Sequence, residues 1–365
     1  MKSHSDKNTK QPKLRFPGFT EEWQEKRLGE IGKITTGSTP STFVEKYYNG
    51  EYLFVSPFDI SDKKYIFTTQ KTLTEEGFKK TRNIKKCSVL FVCIGSTIGK
   101  IAVAGTDLAT NQQINAITCE HEAQNEFVYY SLLKKADQIK LMAGEQAVPI
   151  INKSNFETVK LPMTSPAEQK KISEFLSDID TKIEKLTRKK ELTEQYKKGA
   201  MQKIFSQKIR FKDDNGKNYP DWQEKRLGEV ATIKRGASSQ YLKYVNNSSE
   251  GVRLIRITDF LESEPVFIKE SLELDRFKLK KDDILIAGTG ATAGITFKVP
   301  DKFIGMVYSY NVPQITPVSC DPNYLIQFLK SDSISKQQEG LFTGNAQHFL
   351  DIKAISNLKL PLQCA

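Results

Sequence analysis

Eight consecutive residues occur twice in this chain: Trp23-Gln24-Glu25-Lys26-Arg27-Leu28-Gly29-Glu30 returns 199 positions later as Trp222-Gln223-Glu224-Lys225-Arg226-Leu227-Gly228-Glu229. Chance does not produce such a run, and an internal repeat constrains the fold before any residue-level reading does. Gly37 and Gly236 keep the same offset, as do Lys160-Leu161-Pro162 and Lys359-Leu360-Pro361. Each half therefore begins and ends in equivalent places. Between these anchors the halves diverge, although Val89-Leu90-Phe91-Val92 before Gly95 and Ile284-Leu285-Ile286-Ala287 before Gly290 share a strand-then-glycine outline. Two copies of one fold carrying different surfaces are predicted.

Short β-branched and aromatic runs broken by Gly, Asn, Asp and Pro dominate both halves, as in Glu51–Pro57, Gly251–Thr258 and Ile284–Ala287. A helix is expected late in each, over Glu126–Met142 and Pro322–Gln338. The stretch between the halves differs. Pro166 suits a helix start, no further proline appears until Pro220, and Ile172, Leu176, Ile179, Ile183 and Leu186 follow at 4-3-4-3 spacing. After a register slip, Leu192, Tyr196, Ala200 and Ile204 resume a helical stripe. A helix over Pro166–Phe205 would be roughly 60 Å long, more than one turn of B-DNA, roughly 34 Å. The predicted class is α+β: two duplicated mixed, mostly β domains joined by a long coiled-coil-type helix. The expected divisions are an N-terminal arm (1–18), a first domain (19–163), a central helix (164–208) and a second domain (209–362). A chain of 365 residues suits two cores and a connector.

Lys and Arg number 55 against 44 Asp and Glu, a formal charge of +11 that favours a polyanionic partner, nucleic acid or an anionic membrane. No apolar run approaches the roughly 20 residues of a membrane span. Lysine-rich Met1–Lys10 lacks the apolar core of a signal peptide, so a cytoplasmic location and no membrane partner are expected. Cys87, Cys93, Cys119, Cys320 and Cys364 form no CxxC pair and are odd in number, which points to reduced thiols rather than a zinc site or disulfide framework.

Two segments imitate nucleotide loops. Gly288-Thr289-Gly290-Ala291-Thr292-Ala293 follows a strand as a dinucleotide fingerprint would, but Gly294–Pro300 reads as another strand where a helix is required. Gly95-Ser96-Thr97-Ile98-Gly99-Lys100 is one residue short of a phosphate-binding loop, and Ile295 stands where the repeat should supply its lysine. Glycine-rich β-turns are expected at both. His4, His121 and His348 are too scattered for a triad or metal cluster, and no Asn-Pro-Pro-Tyr-like methyl-transfer motif is present. The residues describe a binder rather than a catalyst, with no metal and no cofactor of its own.

In its whole length the chain resembles the specificity subunits of type I restriction–modification enzymes. The resemblance is carried by Leu28-Gly29-Glu30 with Thr36-Gly37-Ser38-Thr39-Pro40, by Leu161-Pro162 leading into Pro166-Ala167-Glu168-Gln169-Lys170-Lys171-Ile172, by the central helix, and by the restart at Leu227-Gly228-Glu229. It implies two target-recognition domains, each reading half of a bipartite DNA site, and helices that set the unread gap and dock two methyltransferase subunits. Motor-nuclease subunits would join them, with S-adenosylmethionine, ATP and magnesium on the partners only. A stand-alone sequence-specific DNA-binding protein, without enzyme partners, is the alternative.

Base reading needs side chains that pair with base edges, and Asn111, Gln112, Gln113 and Asn115 form such a cluster, with Tyr308, Tyr310 and Asn311 in a similar place in the second half. Lys33, Lys100, Lys234, Arg235, Arg253 and Arg256 are the candidates for phosphate or base contact, the last two on opposite faces of one strand. Ile172, Leu176, Ile179, Ile183 and Leu186 are the candidate subunit interface. Family members carry a second helix after the second domain, whereas this sequence stops just past Leu360-Pro361. That helix is expected from another chain, or the product is truncated, with self-association through the seam as a further expectation.

Overall fold

The computed structural model describes residues 12, 14–120, 123–144, 148–261, 263–341 and 348–363, with the side chains of 261 and 363 excepted. His4, His121, Cys364 and most of the 1–18 arm lie outside the described residues. The chain forms two compact units, Met1–Leu186 and Thr187–Ala365, which divide within one continuous helix, Pro166–Phe205. Its limits are those expected from the proline start and the apolar stripe. It ends where Gln207 takes the left-handed conformation (φ 57°) that closes helices.

In the first unit, a five-stranded sheet runs in the spatial order Gly32–Thr36, Ile114–Cys119, Val89–Val92, Ile101–Ala104, Tyr65–Ile66. A three-stranded sheet places Tyr48–Val55 between Lys71–Leu73 and Ala109–Thr110, the last pair parallel. Strand Val89–Val92 is buried on both faces. Val89 and Phe91 enter the core under helix Asn125–Lys140, while Leu90 and Val92 enter a second core with Val55, Ile60 and Leu108. That is why its sequence is a continuous apolar run instead of an alternation.

The second unit repeats the order of the shared strands, without a counterpart of Tyr65–Ile66 among the described residues and with Tyr244–Val245 added beside Val266–Ile268. Its sheet runs Ala231–Lys234, Gln314–Pro317, Ile284–Ile286, Thr296–Lys298, and Val252–Ile255 lies between Val266–Ile268 and, in parallel, Val307–Tyr308. Ile284 and Ile286 face one core and Leu285 another. The repeated octamer forms the same element in both: Gln24–Arg27 pairs antiparallel with Lys160–Met163, and Trp222–Arg226 with Lys359–Gln363. The anchors that match in sequence are thus hydrogen-bonded partners that close each unit.

Two expectations change in detail. The late helix of the first unit spans Asn125–Lys140 before a short 3-10 turn, Leu141–Ala143. Its counterpart is two helices, Pro322–Leu329 and Asp332–Glu339. Where the first unit has Leu132-Leu133, the second has Ser331-Asp332, residues that favour a helix start over a helix interior. The imitation of a dinucleotide loop is a hairpin: Ile284–Ile286 and Thr296–Lys298 pair antiparallel, with one 3-10 turn, Gly290–Thr292, between them. Among the described residues no helix is long and apolar enough to cross a membrane. Cys87, Cys93, Cys119 and Cys320 are free thiols, and burial pushes the Cys93 and Cys119 thiols up to about 12.

The first unit grips the start of the central helix through a buried carboxylate. Glu168, in the first turn, is fully buried and receives Arg15 Nε at 2.6 Å, Arg15 Nη2 at 2.7 Å, Trp23 Nε1 at 3.2 Å and the Thr164 hydroxyl. Further along the same helix, Lys64 Nζ donates to Ser177 Oγ at 2.8 Å, Ser177 donates to Glu126 at 2.8 Å, and the Tyr130 hydroxyl donates to Asp180 at 2.5 Å. Consequently Ile172 packs against the first core and Leu176 is half-buried, whereas Ile179, Ile183 and Leu186 are exposed. In the second unit Phe205 closes edge-on to Tyr324 and Phe328.

Candidate nucleic-acid interface

In each unit, the loops at one end of the sheets are bonded to one another. The strand ending at Thr36 turns at Gly37, which lies so close to the neighbouring loop that a Cβ there would meet Asn111 O and Thr110 Oγ1 at 2.1 Å. Ser38 N donates to Thr110 O at 2.9 Å, Thr39 Oγ1 to Gln112 Oε1 at 2.7 Å, and Asn111 N to Val55 O at 3.0 Å. Gln113 Nε2 reaches Ile94 O at 3.4 Å, and Gly95 N donates to Pro149 O at 3.0 Å. In the second unit Gly236 meets Tyr308 O and Ser309 O, Ser309 N donates to Ile255 O at 2.9 Å, Gly288 N to Asn311 O at 2.9 Å, and Gly290 N to His348 O at 3.0 Å. Glycine recurs at 37 and 236 because two backbones touch there, and only a residue without Cβ permits it.

These loops carry most of the candidate residues. Asn111 and Gln113 are half-buried and bonded to each other, Nδ2 to Oε1 at 2.9 Å, while Gln112 is exposed. Tyr310 and Asn311 are exposed at the equivalent place. Arg235 lies between two rings, 4.6 Å from the Tyr310 centroid and 5.1 Å from that of Phe349, a cation stacked on aromatics at the surface. Its Nη1 has no partner among the described residues. Lys234, beside it, is exposed, and Lys33 is exposed near the start of its strand; neither ammonium has a partner among the described residues.

Other candidates are committed to contacts within the fold. Asn115 is 2% exposed, accepting from Thr36 Oγ1 at 2.7 Å and donating to Cys93 Sγ at 3.2 Å. Tyr308 is wholly buried, its hydroxyl donating to Gln314 Oε1 at 2.8 Å, and Gln314 in turn donates to buried Asp283 at 2.5 Å. Burial, with the Asp283 charge nearby, raises the Tyr308 hydroxyl above its ordinary value. As folded, neither side chain is presented to solvent. Lys100 Nζ donates to the carbonyls of Pro57 (3.3 Å) and Ile60 (2.9 Å), bracketing a turn. Arg253 and Arg256 do not occupy opposite faces of one strand. The strand ends at Ile255, and both arginines converge on buried Asp259, with Arg253 Nη2 at 2.5 Å and Arg256 Nε at 3.3 Å.

Sequence reading missed the turns that follow strands Tyr48–Val55 and Val252–Ile255. Ser56-Pro57-Phe58-Asp59 and Arg256-Ile257-Thr258-Asp259 are the same turn: Ser56 N donates to Asp59 Oδ2 at 2.8 Å, and Arg256 N to Asp259 Oδ2 at 3.0 Å. The shared aspartate is the detectable signal. Its offset is one longer than that of the octamer, which hid it. Phe349 and Arg82, whose Nη1 donates to Thr36 O at 2.8 Å, were also missed. Among the described residues no three His, Cys, Asp or Glu side chains form a metal-holding group.

Known proteins match this architecture throughout. The family model for the type I restriction modification DNA specificity domain matches residues 20–194 and again 219–362, one copy over each repeat. The MjaVIII specificity subunit of Methanocaldococcus jannaschii is 24% identical over 388 residues, covering 99% of this chain and 87% of that protein. The MjaIX specificity subunit of the same organism is 27% identical over 278 residues, covering 71% and 63%. Among solved structures, the S subunit of the type I system of M. genitalium superposes with a TM-score of 0.56 at 16% identity, over 96% of this chain and 87% of that one. A chain solved in work on complex assembly and conformational transition of the type I system gives 0.54 at 17% identity, over 96% and 87%. With two specificity domains in tandem joined by one long helix, this chain belongs to the type I restriction–modification DNA specificity family.

Proposed function

We propose that the chain selects a bipartite double-stranded DNA target, one half-site for each unit, and positions two methyltransferase subunits and motor-nuclease subunits upon it in the cytoplasm. The observation that carries this reading is the duplicated cluster of loops: the same wiring and the same glycine contact in both units, with different side chains displayed. Two readers of one design with unlike surfaces suit an asymmetric, two-part site. The helix that joins them suits a fixed unread gap, and its exposed Ile179, Ile183 and Leu186 suit a protein partner. The chain is then a non-catalytic subunit, and S-adenosylmethionine, ATP and magnesium belong to the partners. Exchanging residues 31–160 for those of a relative and sequencing the methylome of a host expressing the complex tests the proposal. One half-site should change and the other persist; a change in both, with the protein folded, would refute modular reading.

Phosphate contact positions a protein without specifying sequence. Lys234→Ala removes an exposed ammonium that makes no ion pair among the described residues. It should weaken binding to all sequences alike and reduce the slope of log affinity against log salt by about 0.9. A changed sequence preference with an unchanged slope would show that Lys234 touches a base instead.

A further inference from the structure

We propose that Phe58 is a specificity-determining residue of the first unit, and that its ring reads a thymine through the C5-methyl group in the major groove. The inference rests on the DNA-reading function proposed above and deepens it. Phe58 is 74% exposed, although its neighbours Pro57 and Ile60 are buried. A single exposed phenylalanine needs no explanation in itself. Here the turn beneath it is pinned from both sides. Asp59 accepts from Ser56 N (2.8 Å), Ser56 Oγ (2.7 Å) and Gln70 N (2.8 Å), while Lys100 holds the carbonyls of Pro57 and Ile60. Asn111 N, on the loop of the base-edge candidates, bonds Val55 O, immediately before the turn. The ring is held out at the same cluster of loops, and its own burial gives the fold nothing.

The second unit shows which part of this turn is scaffold and which is display. The aspartate and its bond to the first backbone N–H recur at Asp259 and Arg256. Ile295 replaces Lys100, and the bracket is made instead by the guanidiniums of Arg253 and Arg256 on Asp259. At the position of Phe58 stands exposed Thr258, and at that of Ser56 stands Arg256. A backbone kept by different means, with a ring exchanged for a hydroxyl at its tip, is what two readers of unlike half-sites require. A phenyl ring has no donor or acceptor for a base edge. The base-pair feature it recognises in the major groove is the thymine methyl.

The test uses the full chain and a randomised double-stranded DNA pool, sequenced after capture, followed by competition with a duplex of the selected site in which each thymine is replaced singly by uracil. At one position of one half-site the parent chain should lose about fourfold in affinity, the value of burying one methyl group. Phe58→Ala should be indifferent to that replacement, Phe58→Leu should retain part of the preference, and the other half-site should stay as selected. The inference is overturned if Phe58→Ala keeps the full uracil penalty. It is equally overturned if the substitution changes a base-step preference without dependence on the methyl, the mark of an inserted wedge. A parent chain that enriches no sequence overturns the proposed function itself, and that outcome is read from the parent alone.

Discussion

Glu168→Ala should cost the first unit about 3 kcal/mol, the lower end of what breaking a buried ion pair costs. The carboxylate is fully buried at the first turn of the central helix, and its removal leaves the Arg15 guanidinium, the Trp23 N–H and the Thr164 hydroxyl without their common acceptor. Unpaired buried donors keep their full desolvation cost, which makes the loss larger than that of a surface pair. Because those donors come from before the first strand and from the helix junction, the start of the helix should loosen from its unit while the second unit keeps its stability. Denaturant unfolding with limited proteolysis reads this out. A variant as stable as the parent, with residues 164–176 equally protected, would show that the carboxylate does not hold the helix.

The same site predicts a pH dependence. Burial alone would raise the Glu168 carboxyl, but hydrogen bonds from Arg15 and Thr164, the Arg15 charge and the Trp23 N–H outweigh it and hold the group below the ordinary value of 4.5. A carboxyl lowered in the folded state contributes its stability in full above the unfolded value. That contribution is lost as pH falls through the lowered folded value. The parent should therefore lose stability below about pH 4.5 more steeply than Glu168→Ala, the two converging in acid. Parallel curves would place the origin of the acid sensitivity elsewhere.

Asp259→Ala is the second large effect, confined to the other unit. Arg253 and Arg256 both bind this fully buried carboxylate, and Arg253 Nε already lacks a partner while its guanidinium lies 5.0 Å from the Phe303 ring centroid. Removing the carboxylate strands two cations that are at most one-third exposed, and it also removes the acceptor for Arg256 N. A destabilisation of about 3 kcal/mol is expected. Since the turn from Arg256 to Asp259 is the counterpart of the one that presents Phe58, selection at the second half-site should relax while the first half-site is still chosen. Asp259→Asn keeps an acceptor for the backbone N–H without the charge and should fall between the two. Equal selectivity at both half-sites in Asp259→Ala would remove this turn from the reading surface.

What the linear sequence determined is what near neighbours and simple periods encode. The octamer became a closing strand and helical turn in each unit, and Gly37 and Gly236 became matching backbone contacts. The central helix kept the limits set by Pro166 and the apolar stripe, since a helix is specified by residues three and four apart. Tertiary structure decided which polar residues face solvent. Asn115 and Tyr308 belong to polar stretches that offer candidates for base contact, yet strand pairing turns both inward onto Thr36, Cys93 and Gln314. Glu168 sits in a motif visible in the sequence, but its burial depends on Arg15 and Trp23, 153 and 145 positions away. The aspartate turns escaped notice because a one-residue change in loop length alters the spacing without altering the hydrogen bond. A local pattern states which element forms. Whether a polar side chain lies inside or outside depends on partners brought near only by folding, whose distance along the chain leaves no period to read.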